Sequence, residues 1–479
     1  MEKQKPTKYQ LREVRLPVIG SMTNRSSSSA KDQRFVNVFP ETRKVEALES
    51  TKIFLYKRPG LTLYKTIEAG NARGLAYFRG KFYIAVNGKV FEDGATPTAV
   101  ITLTNNTTKV GMIVCNSASI GDYLFICDGT SGWVIDSSGT VTQIVDADFP
   151  TPHIPSPTFI DGYVLLAKGS DVYNCVLDTP TSWNSGEYLT AEMFPDPIVA
   201  LARQNNQVVV LGSSSVEFFY DAANISGSPL NRNDSTTLQT GCAFPHAIYQ
   251  NEKTCIFVGQ SESGGRAVWQ IEGFQPKKVS DEFIERILDT ETTPTESFGF
   301  GFRTMGHLFY LLNLPSQNRT LVYDTEEKLW HEWSSNNSGT HSKFNYDFMA
   351  DMGTGAAYIL GSTDGTIYKV DPNHYLDNTT TIIAEIVTNK YDMDTYKRKF
   401  MTNIRIVGDR YETDNSVDVK WTDKDYQTWS AVKTITLTDD FPNFSRLGSF
   451  RRRAFNIKHA LPMPLRLESI EVSYYEGDS

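Results

Sequence analysis

Short runs of hydrophobic residues recur along the first three-quarters of the chain. Each run follows a small or polar turn and leads, through a Gly or Ser turn, into a second strand-like segment. The runs begin at residues 81, 122, 162, 207, 254, 307 and 356, so neighbouring runs start 40 to 53 residues apart. This regular spacing indicates a repeated structural unit built from short strands.

A repeat of this length with several short strands is typical of β-propeller blades. A single four-stranded blade leaves both of its faces uncovered, whereas a ring of blades packed face to face covers them. The pattern therefore predicts an all-β protein with a propeller of about six or seven blades over residues 61–375. A set of stacked β-sandwiches is the alternative that the spacing leaves open.

Two segments depart from this rhythm. Residues 280–288 predict a short helix, capped by Ser280, that would pack as a lid on an edge of the propeller. After Asp371 the alternating segments lengthen, which predicts a separate C-terminal antiparallel β-sandwich over residues 380–479. The strands expected in this sandwich are 382–388, 401–407, 416–421, 434–437, 455–457 and 467–474.

The first part of the chain is polar. Residues 1–60 are expected to form an extended N-terminal arm and the first strands, and the four serines from Ser26 to Ser29 indicate a flexible stretch. Residues 1–35 are either an arm that becomes ordered against a partner or a frayed terminus.

The charge is uneven along the chain. Lys and Arg number 47 against 56 Asp and Glu, which gives a net charge of −9. Residues 1–60 nevertheless carry thirteen basic and six acidic residues, and residues 446–466 carry six basic residues and no acidic one. An acidic chain repels phosphates, so we expect this protein to be a poor general binder of nucleic acids.

The C-terminal basic segment is a candidate docking site for a protein partner. Arginine suits this role because its planar fork pairs with carboxylates through two hydrogen bonds. Strand alternation would place Arg451 and Arg453 on one face and Arg452 on the other. A solvated turn is the alternative interpretation. The candidate residues are Arg446, Arg451, Arg452, Arg453 and Lys458.

Motifs for catalysis and metal binding are not found in the sequence. It lacks GxSxG, HExxH and Walker patterns, and its seven histidines are far apart. The five cysteines form no CxxC pair and are expected to be buried, reduced thiols. Without a secretory signal or a run of about 20 apolar residues, the chain is expected to be made in a reducing cytoplasm and not to insert into a membrane.

One motif raises a different possibility. The sequence Ser362-Thr363-Asp364-Gly365-Thr366-Ile367-Tyr368 resembles the Asp-box of sialidase propellers. Such a box closes a hairpin and is not itself catalytic, so Asp364 and Gly365 are expected to form a hairpin turn. A carbohydrate-binding or glycoside-cleaving propeller is nevertheless an alternative function, although cleavage would need a pair of carboxylates in a pocket.

Several landmarks in a fixed order resemble the packaged-DNA stabilisation proteins, or tail hubs, of short-tailed bacteriophages. The resemblance covers roughly residues 35–475. Its most specific piece is the strand at residues 209–211, which turns through Gly212-Ser213-Ser214 into a strand that carries Glu217 and then aromatic residues. The other landmarks are Phe35-Val36-Asn37-Val38-Phe39-Pro40, Lys57-Arg58-Pro59-Gly60-Leu61, Arg73-Gly74-Leu75-Ala76-Tyr77, Gly88-Lys89-Val90-Phe91, Gly241-Cys242-Ala243, the helix near Phe283, Thr320-Leu321-Val322-Tyr323-Asp324 with Trp330, and the last strands from Arg446 to Leu467.

The resemblance implies a structural virion protein of the phage tail, not an enzyme. Such a tail hub, or nozzle, extends the DNA channel below the portal and its adaptor, and it retains the packaged genome until DNA ejection. Genomic DNA would pass it without sequence-specific binding. It would assemble as a homohexameric ring on the tail adaptor (head-to-tail connector) protein and dock a tail fibre or tailspike. The resemblance implies no cofactor, and it implies synthesis in the bacterial host cytoplasm. The alternative is a carbohydrate-binding or glycoside-cleaving propeller on the virion surface.

Overall fold

The computed structural model describes residues 10–18, 33–45, 50–191, 193–194, 196–234, 236–260 and 264–477. The serine stretch Ser26 to Ser29 lies outside these residues, and so does most of the expected N-terminal arm. The structure divides into two compact units. The first, here called the sandwich unit, contains Met1–Leu61, Leu321–Ser342 and Asp371–Ser479, and the second, here called the propeller unit, contains Thr62–Thr320 and Lys343–Val370.

The chain begins in the sandwich unit and then enters the propeller unit. Its first strands are β1 (Leu11–Pro17), β2 (Arg34–Val36), β3 (Val38–Val45), β4 (Ser50–Lys57) and β5 (Gly60–Thr66). Four antiparallel four-stranded blades follow in sequence order. The first blade contains β6 (Ala72–Phe78), β7 (Lys81–Val86), β8 (Lys89–Glu92) and β9 (Thr98–Thr102), and the second contains β10 (Gly111–Ser117), β11 (Gly121–Cys127), β12 (Gly132–Ile135) and β13 (Val141–Gln143). The third blade contains β14 (Ile154–Ile160), β15 (Tyr163–Lys168), β16 (Asp171–Val176) and β17 (Thr179–Thr190). The fourth contains β18 (Ile198–Gln204), β19 (Gln207–Gly212), β20 (Val216–Asp221) and β21 (Leu230–Arg232).

The fifth blade differs from the first four because its innermost strand is broken into two short pieces that both pair with the next strand. Helix α1 (Glu282–Thr290) follows this blade and packs against its third strand, Arg266–Glu272. The strands of the fifth blade are β22 (Gly241–Cys242), β23 (Tyr249–Gln250), β24 (Thr254–Gln260), β25 (Arg266–Glu272) and β26 (Gln275–Lys278).

The helix is confirmed, but its expected cap is wrong. Asp281 is the N-cap, and its carboxylate accepts hydrogen bonds from the backbone N–H groups of Phe283 and Ile284, both at 3.0 Å. Ser280 is buried instead, and its Oγ accepts from the backbone N–H of Val268 at 3.0 Å. The carboxylate satisfies two N–H groups that the first helical turn leaves free, which is why it takes the cap position.

The ring closes after two further groups of strands. The hairpin of β27 (Phe298–Thr304) and β28 (His307–Leu314) is followed by β29 (Arg319–Asp324), β30 (Leu329–Asn337) and β31 (Thr340–Lys343). A sixth four-stranded blade contains β32 (Tyr346–Asp351), β33 (Ala357–Gly361), β34 (Thr366–Asp371) and, as its outermost strand, β5 from the start of the chain. Strand β32 contacts β6, so the propeller unit closes on itself with six complete blades and the β27–β28 hairpin.

All seven hydrophobic runs of the sequence are second strands counted from the centre of the ring, namely β7, β11, β15, β19, β24, β28 and β33. These strands are buried along nearly their whole length because neighbouring sheets cover both of their faces. Hydrophobic clusters fill the spaces between successive blades, for example Tyr83, Val90, Leu124 and Ile135 between the first and second. The predicted propeller is thereby confirmed.

The sandwich unit has two facing sheets. The strands not yet described are β35 (Leu376–Asp377), β36 (Thr380–Thr381), β37 (Ala384–Val387), β38 (Lys399–Gly408), β39 (Ser416–Thr422), β40 (Lys433–Thr436), β41 (Asn443–Ser445), β42 (Ser449–Phe450), β43 (Ala454–His459) and β44 (Arg466–Glu476). One sheet has the order β3-β4-β44-β38-β41, with β1 added beside β44 and β42 beside β38, and the other runs from β29 through β30, β2, β37, β43 and β39 to β40. A continuous core that includes Phe35, Ile404, Phe455 and Tyr474 fills the space between them.

Candidate functional site

The most specific landmark of the sequence, Gly212-Ser213-Ser214, is a tight turn between β19 and β20. The carboxylate of Asp196 holds this turn, accepting from the backbone N–H groups of Ser214 at 2.7 Å and Ser215 at 3.1 Å and from the Ser215 hydroxyl at 3.0 Å. Gly241 lies directly against the turn, where a Cβ would come within 2.1 Å of the Ser213 backbone. Two landmarks that are distant in sequence therefore meet at one place in the propeller unit.

Glu217, the acidic residue of the same landmark, is buried in the fourth blade. Its Oε2 lies 2.7 Å from Arg232 Nε, and its Oε1 accepts from the backbone N–H of Met193 at 3.2 Å. Burial raises the pKa of Glu217, while the charge of Arg232 opposes that rise. The glutamate thus ties β20 to β21 and to the segment near residue 193, which is a structural role.

The landmarks near residues 37 and 58 form a buried polar network in the sandwich unit. The guanidinium of Arg58, which is 0% exposed, donates to both carboxylate oxygens of Asp377, at 2.8 and 2.6 Å. It also donates to Asn37 Oδ1 at 2.8 Å and to the Ser334 carbonyl at 3.0 Å. A fully paired guanidinium fixes the relative positions of four chain segments that are far apart in sequence.

The network continues through a histidine. Ser334 Oγ accepts from Asn37 Nδ2 at 2.8 Å and lies 2.7 Å from His341 Nδ1, and His341 Nε2 lies 2.7 Å from Glu385 Oε2. Burial favours the neutral form of Glu385, but hydrogen bonds from His341 and Asn456 lower its pKa to about 2.

This Ser–His–carboxylate order is the one that nucleophilic hydrolases use. Here the Ser334 hydroxyl is engaged on two sides, and the residue is only 4% exposed. The arrangement therefore suits a structural chain of hydrogen bonds.

A second buried group lies one residue before Arg58. The Lys57 ammonium donates to the Leu461 carbonyl at 2.7 Å and lies 3.3 Å from His459 Nδ1, while His459 Nε2 lies 2.8 Å from Asn415 Oδ1. Burial, together with the charge of Arg58, lowers the pKa of Lys57 to about 7. Burial likewise lowers the pKa of His459, to about 3. The pair resists carrying two charges at neutral pH.

The Asp-box motif forms a hairpin turn between β33 and β34. Asp364 Oδ1 accepts from the backbone N–H of Thr366 at 3.0 Å, and its Oδ2 accepts from the Tyr368 hydroxyl at 2.7 Å. Gly365 has a φ of +56°, and a Cβ there would come within 1.8 Å of the Glu68 carbonyl oxygen. The motif thus has the turn-forming role expected of its Asp and Gly.

The candidate docking residues occupy different environments. Arg446, Arg451 and Arg452 are exposed, and Lys458 is partly buried with its ammonium 3.5 Å from the Gly339 carbonyl. Arg451 donates to the Tyr396 carbonyl at 2.6 Å, and Arg452 forms an ion pair with Asp425. These side chains present positive charge to solvent.

Arg453 is only 1% exposed and belongs to the interior of the sandwich unit. Its guanidinium donates to both oxygens of Asp423, at 2.7 and 2.8 Å, and lies 4.4 Å from the centre of the Phe450 ring. The expected alternation of Arg451, Arg452 and Arg453 is wrong, because β42 ends at Phe450 and the first two arginines lie in a bend. Sequence reasoning could not find Asp423 as a partner, since it lies 30 residues away, in the bend that follows β39.

Other chemistry is limited within the part of the chain that the structure describes. No group of three or more His, Cys, Asp or Glu residues there could hold a metal ion. All five cysteines are free and buried, and burial raises their thiol pKa values. No helix among the described residues is long and apolar enough to cross a membrane.

Comparison with known proteins identifies the family. The family described as "Bacteriophage P22 Gp10, beta-propeller" matches residues 14–375 of this chain. The chain belongs to this family. It is therefore a phage structural protein of the packaged-DNA stabilisation type, as the order of landmarks in its sequence indicated. The match includes the whole propeller unit and the N-terminal strands of the sandwich unit.

The solved structures that match this chain share little sequence with it. No curated protein sequence matches the chain. The N-terminal domain of Nup159 is 12% identical with a TM-score of 0.38, the match covering 71% of this chain and 99% of that domain. Virginiamycin B lyase from Staphylococcus aureus is 10% identical with a TM-score of 0.39, covering 70% of this chain and 99% of the lyase. An extracellular domain of a putative one component system from B. thetaiotaomicron is 13% identical with a TM-score of 0.43, covering 79% of this chain and 46% of that one.

Proposed function

We propose that this protein is the tail hub, or nozzle, of a short-tailed phage, located in the tail of the virion. The observation that carries the proposal is the family match over residues 14–375. In this role the protein extends the DNA channel below the portal and its adaptor, and it retains the packaged genome until ejection. It acts as a structural part of the virion and catalyses no reaction.

The charge of the chain supports a role beside moving DNA. A net charge of −9 disfavours adhesion of the phosphate backbone, because tight binding to DNA depends on release of counterions by basic side chains. Genome passage needs a surface from which DNA releases readily.

The proposed assembly is a homohexameric ring on the tail adaptor protein, with a tail fibre or tailspike docked on its outside. We expect the purified chain to be largely monomeric and to close into a ring only on the adaptor, because a template avoids premature rings. Light scattering of the chain alone and electron microscopy of the chain with its adaptor test this. A stable hexamer without the adaptor, or a complex with other than six copies, would contradict it.

Retention of DNA can be measured directly. Heads filled with DNA and carrying the adaptor but lacking this chain should leak their genome, which an added intercalating dye reports. Adding the purified chain should slow the leak strongly, while heads without the adaptor should gain nothing. If the leak continues at the same rate after the chain has bound, as judged by co-sedimentation, the proposed role in genome retention fails.

A further inference from the structure

The solvent-facing side of one sheet in the sandwich unit carries a polar groove of about 500 Å³. Strand register places its residues in rows across β1, β44 and β38, with Arg15 opposite Glu471 and Glu471 opposite Arg405. Two residues further along β38 and β44, Asn403 is opposite Ser473. Because side chains alternate along a strand, the residues between these face the core of the sandwich, and the rows form the outer surface.

The charged side chains of the groove compensate one another. Glu471 Oε1 accepts from Arg15 Nη2 at 2.7 Å, and its Oε2 accepts from Arg405 Nη1 at 3.3 Å. Arg15 Nη1 also donates to Glu468 Oε1 at 3.0 Å. The groove is lined by two arginines and by two glutamates, Glu13 and Glu471, so its charges sum to zero. A strongly charged ligand would gain little there, and an uncharged one fits better.

Two polar atoms of the groove are buried without a hydrogen-bond partner among the described residues, namely Arg405 Nε and Asn403 Oδ1. The first is a donor and the second an acceptor. Neither atom is itself accessible, but the Arg405 side chain is 38% exposed and both residues line the groove. A hydroxyl group, which both donates and accepts, can therefore bind the accessible parts of the guanidinium and the amide.

An exposed aromatic ring lies at the same place. Phe441 is 64% exposed, and the guanidinium carbon of Arg405 lies 4.7 Å from the centre of its ring. An apolar ring beside planar polar groups matches a ligand with an apolar face and a hydroxylated edge. Sugar rings have this character, whereas nucleotides and acidic peptides carry charge.

We propose that this groove binds a neutral, hydroxyl-rich oligosaccharide, with one sugar ring packed on Phe441 and its hydroxyls bonded to Arg405 and Asn403. The proposal goes beyond the tail-hub function and does not depend on it. The site lies in the sandwich unit, whereas the carbohydrate-binding alternative considered from the sequence concerned the propeller.

The test uses the full-length chain and an array of neutral hexasaccharides built from glucose, galactose, mannose or N-acetylglucosamine. At least one should bind, and Phe441→Ala should weaken that binding about tenfold or more. Asn403→Ala should weaken it as well. Tyr396→Ala is the matched control, because Tyr396 is an aromatic residue of the same unit that is 89% exposed and lies outside the groove. Its binding should equal that of the unchanged chain, and melting curves should show that all variants fold.

Salt separates the proposed ligand from charged ones. Binding of a neutral sugar should change little as salt rises, whereas an acidic peptide or an oligonucleotide would lose affinity. The proposal is overturned if no hexasaccharide binds at about 10 mM, a concentration that detects even millimolar affinity. It is also overturned if Phe441→Ala and Tyr396→Ala bind equally well, or if only charged probes bind.

Discussion

At the scale of single residues, the arginines at 451–453 show how neighbours in sequence can have unrelated roles. Arg453 is enclosed between Phe450 and Trp421 and paired with Asp423, while Arg451 and Arg452 project into solvent. Removing a buried guanidinium leaves its carboxylate partner without a hydrogen-bond donor, whereas water replaces an exposed guanidinium.

We therefore expect Arg453→Ala to destabilise the sandwich unit by about 2–3 kcal/mol, somewhat less than is typical of a fully buried pair because Asp423 is partly exposed. Arg451→Ala is the control and should change stability by no more than about 0.5 kcal/mol. Urea unfolding monitored by tryptophan fluorescence measures both. Equal stabilities of the two variants would show that the Arg453 pair contributes little.

Lys57 gives a prediction for pH. Its pKa is about 7 in the folded chain and near 10.5 when unfolded, so between these values the unfolded chain holds a proton that the folded chain has released. The contribution of Lys57 to the free energy of unfolding therefore rises as the pH increases from about 7 to 10.5, by up to a few kcal/mol. Below pH 7 both states are protonated, and the burial penalty remains in full.

Lys57→Met should flatten this rise, since it removes the titrating group, which lies beside His459 and feels the charges of Arg58 and Asp377. The measurement is the free energy of unfolding at several pH values between 7 and 10. Lys397→Met is the control because Lys397 is a surface lysine of the same unit, and its curve should parallel that of the unchanged chain. Parallel curves for all three proteins would disprove the shifted pKa.

Residue identities alone indicated little of this. The sequence marks Lys57 and Arg58 as part of a landmark, but it does not reveal that Asp377 and His459 surround them, because these partners are hundreds of positions away. Burial is what lowers the pKa of Lys57, and burial is a property of the folded chain.

At the scale of elements, Gly241 lies against the 213–214 turn, and a Cβ added there would come closer to its neighbours than a Cβ at any other glycine of the fourth and fifth blades. Gly241→Ala should cost at least about 2 kcal/mol, because its Cβ would overlap backbone atoms, which cannot rotate away. Gly265→Ala is the control, since a Cβ there meets nothing within 4 Å. Thermal unfolding distinguishes the two. A Gly241→Ala variant as stable as Gly265→Ala would mean that the turn can shift.

The hydrophobic runs located the second strand of every blade because that strand is covered on both sides and must be apolar throughout. The innermost strands left a weaker signal. In the fifth blade that strand is split into β22 and β23, each two residues long, and no pattern of hydrophobic residues predicts such a break. The outermost strand of the sixth blade is β5, from the start of the chain. The local pattern of hydrophobic residues does not encode such a long-range pairing.

At the scale of the whole molecule, the two units are not consecutive stretches of sequence. The sandwich unit draws on Met1–Leu61 and Leu321–Ser342 as well as on the C-terminal segment. The six C-terminal strands expected from the sequence are present as β37, β38, β39, β40, β43 and β44. Their partners from the N-terminus were not foreseen, because register between distant strands is set by packing of the shared core and not by local composition.

Assembly on the adaptor remains a prediction for the exposed part of the basic segment. The double variant Arg451→Ala with Arg452→Ala should leave the melting point nearly unchanged, because both side chains lie at the surface. It should bind the adaptor more weakly than the unchanged chain, and its affinity should depend less on salt, since two charges are lost from the proposed interface.

Arg453 is left intact so that folding does not confuse the result, and Arg410→Ala, which removes another exposed arginine of the same unit, is the control. Sedimentation with the adaptor across a salt series measures all three proteins. If the double variant matches the unchanged chain at every salt concentration, the segment is a solvated turn and the ring is held by other surfaces.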